Sequence, residues 1–206
     1  ASGLVLGPLG YTHCCIEDVG VLRSIPNLTI ISPADGLELG KALIASLNHN
    51  QSTYIRITGS SNTPIIYDMD YNFEIGKPVT LKEGKDITIF ATGSMVKVAL
   101  VIADELQKIE ILATVINIHT IKPFEDSIVK KHIKSKLFVS IEEHNTIGGL
   151  GSAVSEATSK IGNGPKHIFC GVDDNYQHHG NYEHLLENYN LTSEKIIKKI
   201  KKNLNN

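Results

Sequence analysis

The sequence predicts an α/β protein built on open, mostly parallel sheets. Three observations carry that expectation. Short runs rich in Val, Ile and Leu recur along the 206 residues, with segments of helical apolar spacing between them. The apolar runs stop at turns rich in Gly, Ser, Thr or Pro. Strands alternating with helices need crossover connections, which set the strands parallel and lay helices on both faces of a sheet.

Residues 28–31 read as a first strand that stops at Ser32-Pro33. Ala34 or Asp35 then caps a helix whose apolar stripe is Leu37, Leu39, Leu43, Ile44 and Leu47. Residues 53–57 form the next strand, closed by the loop Thr58-Gly59-Ser60-Ser61-Asn62, so this part is a βαβ unit. The polar and aromatic run 67–72 has no clear period and reads as a linker. A hairpin-like pair follows, residues 77–81 and 86–90, turned at Glu83-Gly84-Lys85. After the strand ending at Ala91 and the turn Thr92-Gly93-Ser94 comes a helix carrying Val96, Ala99, Leu100, Ile102, Ala103 and Leu106. Strand 112–118, helix 124–133, strand 137–141, a helix from Ser152 to Ile161 and strand 167–172 complete the alternation. The end of the chain reads as a helix with Ile196, Ile197, Ile200 and Leu204 on its apolar side. Its lysines form a solvated face, with a basic docking surface as the alternative.

Composition removes several classes of function. The chain is 41% hydrophobic and 20% charged, as a globular protein is. A formal net charge of -2 gives no global attraction to nucleic acid or to an anionic membrane. No apolar run approaches the roughly 18 residues of a membrane span. The opening Ala1-Ser2-Gly3-Leu4-Val5-Leu6 has no basic leader of a secretory signal. Cys14, Cys15 and Cys170 are too few and too unevenly spaced for a disulfide framework or a zinc site, so reduced thiols and a cytoplasmic location are expected.

Several residues could carry chemistry. His13 follows the glycine of Gly10-Tyr11-Thr12, ahead of a helix expected near Ile16. An imidazole there either exchanges protons with a substrate or braces the turn. Glu17 and Asp18 point about 100° apart on a helix, so they read as first-turn acids favoured by the dipole rather than an acid–base pair. Arg56, beside Gly59, Ser60 and Ser61, either holds a substrate phosphate or pairs with a neighbouring carboxylate. At Thr92-Gly93-Ser94, capping by Thr92 or Ser94 is preferred over anion binding. Glu142-Glu143-His144-Asn145 leads into Gly148-Gly149-Leu150-Gly151, which lacks the spacing of a dinucleotide loop. His178 and His179, near Asp173 and Asp174, sit on an expected surface loop without metal-ligand geometry.

The ordered set Gly10-Tyr11-Thr12-His13, Ala91-Thr92-Gly93-Ser94, Ile118-His119-Thr120-Ile121-Lys122-Pro123, Glu142-Glu143-His144-Asn145 and Gly171-Val172-Asp173-Asp174 resembles the transketolase family of thiamine diphosphate enzymes. Above all it is similar to split members whose C-terminal section is a separate chain. The resemblance implies that residues 1–70 are the trailing part of a pyrimidine-binding α/β domain and residues 71–206 a transketolase C-terminal domain with a mostly parallel open sheet. It implies transfer of a two-carbon ketol unit between sugar phosphates, using thiamine diphosphate with Mg. The cofactor would be bound mainly by regions outside this chain, including an N-terminal diphosphate-binding section. It further implies a homodimer or heterotetramer. His13 matches a catalytic and substrate-contacting histidine, and Arg56 an arginine that contacts the sugar phosphate. Leu9 and Tyr11 depart from the family pattern, and the glutamate and aromatic residues that serve the cofactor's pyrimidine have no counterpart among these residues. Synthesis of deoxyxylulose phosphate, a 2-oxo acid dehydrogenase β role and a non-catalytic interaction subunit stand as alternatives. The sequence leaves donor and acceptor sugars unnamed.

Overall fold

A computed structural model describes residues 1–59, 63–67, 70–176 and 179–204. Two sheets organise it. In the first, β1 (Leu28–Ile31) lies between β2 (Ser52–Ile55), parallel to it, and β6 (Thr120–Lys122), antiparallel to it. The crossover from β1 to β2 is α2 (Gly36–Leu47), and Asp35 caps it by accepting from the amide of Glu38 at 2.8 Å. The preceding helix, α1 (Asp18–Leu22), is short.

The second sheet has the order β3-β5-β4-β7-β8, from β3 (Val79–Lys82), β4 (Ile87–Ala91), β5 (Ala113–Asn117), β7 (Leu137–Asn145) and β8 (Lys166–Val172). Only β3 runs antiparallel to its neighbour. Both sides of β4 are buried because alternate residues feed two cores. Ile87, Ile89 and Ala91 pack with α3 (Met95–Gln107) and α7 (Ser193–Leu204). Phe90 packs with Phe138 under α4 (Asp126–Lys131) and α5 (Leu150–Ile161). A last helix, α6 (Tyr182–Asn188), precedes α7.

Several sequence expectations are corrected. Residues 77–90 form no hairpin: β3 pairs with β5, and β4 is the central strand. The turn at Gly84 instead crosses the start of β5, where a Cβ would stand 2.4 Å from the backbone of Ala113. Glycine is needed there for close approach rather than for a tight hairpin turn. Residues 120–122 leave the second sheet to join the first, so the two sheets are tied by the chain itself. Strand β7 runs on to Asn145, and Glu142, Glu143 and His144 are strand residues, not a loop. Ser94 stands at the N-cap of α3, but neither its hydroxyl nor that of Thr92 makes a capping bond; Thr92 donates to the carbonyl of Ile118 and Ser94 to Glu143. The expected linker is anchored, since Tyr67 and Tyr71 donate to the buried carboxylate of Glu38, which Asn117 also contacts; Asp68 and Met69 lie outside the described residues. On α2 the buried positions are Glu38 and Ala42, and four of the five residues of the expected core stripe are exposed.

Candidate functional site

The N-terminal segment approaches the second sheet through backbone bonds that fix its path. Pro8 opens a turn over Gly7–Thr12, kinked at Gly10 (φ 70°), which delivers His13 to the surface. Behind it, the amide of Gly3 donates to the carbonyl of Cys15 at 2.7 Å and that of Cys15 to the carbonyl of Ala1 at 2.9 Å. The His13 ring is exposed, its Nδ1 is 2.8 Å from the Thr12 hydroxyl, and its carbonyl accepts from the N-terminal amine at 2.8 Å. Burial pushes the Cys14 and Cys15 thiols up, which favours their protonated form.

Under this segment lies a buried ion pair. The Nε of Arg56 donates to both Asp18 oxygens, at 3.0 and 2.9 Å, and the Asp18 carboxylate also accepts from Tyr54 (2.9 Å) and Ser2 (3.0 Å). Arg56 is 1% exposed, and its Nη2 reaches the carbonyls of Glu143 (2.8 Å) and Cys15 (3.5 Å). Burial alone would raise the Asp18 carboxyl; the guanidinium and the tyrosine hydroxyl outweigh it and hold the group below the ordinary carboxylate range. Of the two readings of Arg56, the structure displays pairing with a carboxylate. It also corrects Asp18, which is an ion-pair partner and not merely a first-turn acid. Ser60 and Ser61, expected beside Arg56, and Asn62 lie outside the described residues.

His144 stands next to this pair. Its Nε2 accepts from the Gly20 amide at 3.1 Å, and its Nδ1 lies 2.7 Å from the Asn145 carbonyl, so the neutral tautomer with the proton on Nδ1 satisfies both. Burial and then Arg56 push its pKa down, so its 3.8 Å approach to Asp18 is a contact of a neutral ring rather than an ion pair.

The carboxylate of Glu143 is the second hub. It accepts from the Leu4 amide at 3.0 Å and from the hydroxyls of Ser94 and Tyr182. Burial and then Glu143 drive the Tyr182 phenol up, keeping it a donor. This hub sits at the carboxyl ends of β4 and β7, where the sheet order reverses and α/β sheets usually receive ligands. Here the chain's own residues fill the place. The amide of Ser94 donates to Thr58 (3.0 Å) and that of Gly93 to the Ser32 carbonyl (3.2 Å). Gly93 adopts φ +58°, and a Cβ would meet the Thr58 hydroxyl at 2.4 Å. The sequence reading missed Glu143, Tyr54 and Tyr182. Two acids and a histidine ending an otherwise apolar strand were the available signal.

Glu142 differs again. Its two oxygens accept from the amides of Leu150 (2.7 Å) and Gly151 (2.9 Å) at the start of α5, while burial pushes its carboxyl up to about 7. No group of three or more His, Cys, Asp or Glu among the described residues could hold a metal ion. His178 lies outside them. No helix among the described residues is long and apolar enough to cross a membrane.

Comparison with known proteins agrees with this architecture. Residues 76–196 match the family model described as transketolase, C-terminal domain. A protein of Methanocaldococcus jannaschii provisionally named a transketolase C-terminal section is 36% identical over 97% of this chain and 63% of its own length. A 6-deoxy-6-sulfo-D-fructose transketolase subunit of a Clostridium species is 38% identical over 92% of this chain and 58% of its own. A solved structure titled split gene transketolase, inactive beta4 tetramer, superposes with a TM-score of 0.85 at 33% identity, covering 94% of this chain and 62% of that one. The chain thus spans about three-fifths of the length of these relatives. With its family model matched across more than half its length and its mostly parallel five-stranded sheet in place, the chain belongs to the transketolase C-terminal domain family.

Proposed function

We propose that this chain is the C-terminal section of a transketolase-like transferase that moves a two-carbon ketol unit between sugar phosphates. Its working partner is an N-terminal section that binds the diphosphate of thiamine diphosphate with Mg, in a homodimer or heterotetramer. Residues 1–70 act as the trailing part of the pyrimidine-binding domain and residues 71–206 as the C-terminal domain. The proposed compartment is the cytoplasm, where its three free thiols stay reduced. The observation that carries the reading is the pairing of an exposed His13 with a buried frame that fixes its segment. Asp18 and Arg56 secure that segment at Cys15, and Ile16 accepts from the amide of Asn145 at 2.7 Å.

The residues present do not fit the whole cofactor. The described chain holds no carboxylate cluster for the metal, and the carboxylates of Glu38, Glu142 and Glu143 are buried and already accept donors. No reaction step is therefore routed through the cofactor. What this chain supplies is His13, whose imidazole hydrogen-bonds or exchanges a proton with an oxygen of the donor sugar. Arg56 was the other candidate substrate contact. Its enclosure with Asp18 supports a role in holding the site's floor.

Calorimetry with thiamine diphosphate and Mg tests the division of labour: weak or no binding by this chain alone is expected, and micromolar binding would overturn it. Assays of the two sections together, with ketose phosphate, sulfoketose and pyruvate as donors, separate ketol transfer from pyruvate decarboxylation.

A further inference from the structure

The turn that carries His13 is held from the far end of the chain. The amide of Gly180 donates to the Gly7 carbonyl at 3.2 Å, and a Cβ at Gly7 would meet the Leu185 side chain of α6 at 2.2 Å. The Tyr11 ring packs 4.5 Å from that of Tyr176, and its hydroxyl is hydrogen-bonded to that of Tyr189, which is 2% exposed. The amides of His13 and Cys14 both donate to the Gly10 carbonyl, at 3.0 and 3.2 Å. Thr12 and His13 therefore meet on a fixed backbone. The Thr12 hydroxyl donates to the Leu9 carbonyl at 3.2 Å and lies 2.8 Å from Nδ1 of His13. A hydroxyl has one proton to give and can accept at the same time. With that proton on the Leu9 carbonyl, the Thr12 oxygen accepts from the ring, which places the neutral ring's proton on Nδ1. The opposite arrangement, Thr12 donating to Nδ1, breaks the Leu9 bond and keeps one hydrogen bond where two are available. Nε2 has no partner among the described residues, and the ring is exposed.

We propose that Thr12 is a positioning residue that sets the tautomer of His13, holding the proton on Nδ1 so that Nε2 meets the substrate as an acceptor. The inference rests on the reading of His13 as the donor-sugar contact and sharpens it by naming the group contacted: a hydroxyl rather than a carbonyl oxygen. The other neutral tautomer would carry its proton on Nε2 and would donate to a carbonyl. When a sugar hydroxyl gives its proton to Nε2, the O–H electron pair stays on the oxygen. The ring becomes an imidazolium with a proton on both nitrogens. Thr12 goes on accepting from Nδ1, now in a charge-assisted bond, so it supports the ring in both protonation states without touching the sugar. A threonine that only braced the turn through Leu9 would leave the tautomer unaltered.

Long-range proton–nitrogen NMR of the imidazole rings of this chain, at about pH 8.5 where an ordinary histidine is neutral, reads the tautomer directly. Loss of one ring's signals in His13→Gln assigns His13 among the nine histidines. The wild type should carry its proton mainly on Nδ1, and Thr12→Ser should match it. Thr12→Val should shift the tautomer ratio about 2- to 10-fold towards Nε2–H, the effect of one net hydrogen bond. Thr12 is exposed, so both variants should keep the fold by circular dichroism. In the mixture with the N-terminal section, Thr12→Val should lower kcat by a similar factor with KM little changed, and Thr12→Ser should restore it. A wild-type ring protonated on Nε2, or the same tautomer ratio in wild type and Thr12→Val, would overturn the proposal, as would an unchanged kcat in Thr12→Val. The expected spectra together with a wild-type mixture that transfers no ketol unit would overturn the functional reading alone and leave the Thr12 assignment standing.

Discussion

Asp18→Ala is the most informative single change to the site's frame. It leaves the guanidinium of Arg56, 1% exposed, without its counter-ion, and removes the acceptor of Tyr54 and Ser2. Removing one partner of a buried pair costs about 3–5 kcal/mol. For a chain of this size each kcal/mol lowers the melting temperature by about 2–4 °C, so the expected fall is roughly 6–20 °C. Urea unfolding at neutral pH gives the free energy directly, with an unchanged denaturant slope showing that the unfolded state is the same. The double variant Asp18→Leu with Arg56→Met should recover most of the loss, because an apolar pair of similar volume needs no desolvated charge. Acid provides an internal control. The Asp18 carboxyl lies below its unfolded value of about 3.9, so its contribution is complete above that value and disappears as pH falls through the folded one. The cost of Asp18→Ala should therefore shrink below about pH 4. A loss under about 1 kcal/mol at neutral pH, or one equally large in strong acid, would refute the buried-pair account.

Other outcomes follow from the same geometry. Burial holds Glu142 up at about 7, above its unfolded value, so the folded chain retains a proton that the unfolded chain releases. Stability should then decline by at most about 3 kcal/mol as pH rises from about 4.5 to about 7, and level off beyond. Glu142→Gln should flatten that slope in urea titrations at several pH values. It should also cost about 1–3 kcal/mol, since one carbonyl oxygen replaces the two that accept from Leu150 and Gly151. Gly93→Ala should destabilise by more than about 1 kcal/mol through its positive φ and its collision with Thr58. Thermal melts would show it, with Gly162→Ala, which is also at positive φ but meets no atoms, as the milder comparison.

Local chemistry made much of the fold legible. Asp35 before a helix, β-branched strands and the regular alternation after Ile87 agree with tertiary packing, so α2, α3, α5 and the parallel strands fall where their residues indicate. Long-range pairing was not legible. Nothing in residues 77–90 reveals that β5 inserts beside β4, and only the close passage of Gly84 over Leu112 and Ala113 explains its glycine. The α2 stripe has the period of a core face, yet period does not state which side a core lies on. In the site, His13 stood out because it follows a glycine turn. Glu143 did not, because its partners Leu4, Ser94 and Tyr182 are distant in sequence. Arg56 presented two readings that only the position of Asp18 could separate.

The central claim is that this chain completes, and does not by itself contain, a ketol-transferring site to which it contributes His13. Reconstitution with the N-terminal section, thiamine diphosphate and Mg, read as steady-state ketol transfer, tests it most directly. The account predicts no turnover by either section alone, turnover by the mixture, and a loss of about 10²–10⁴-fold in kcat for His13→Ala with folding and assembly unchanged. Turnover by this chain alone, or full activity of the His13→Ala mixture, would contradict it.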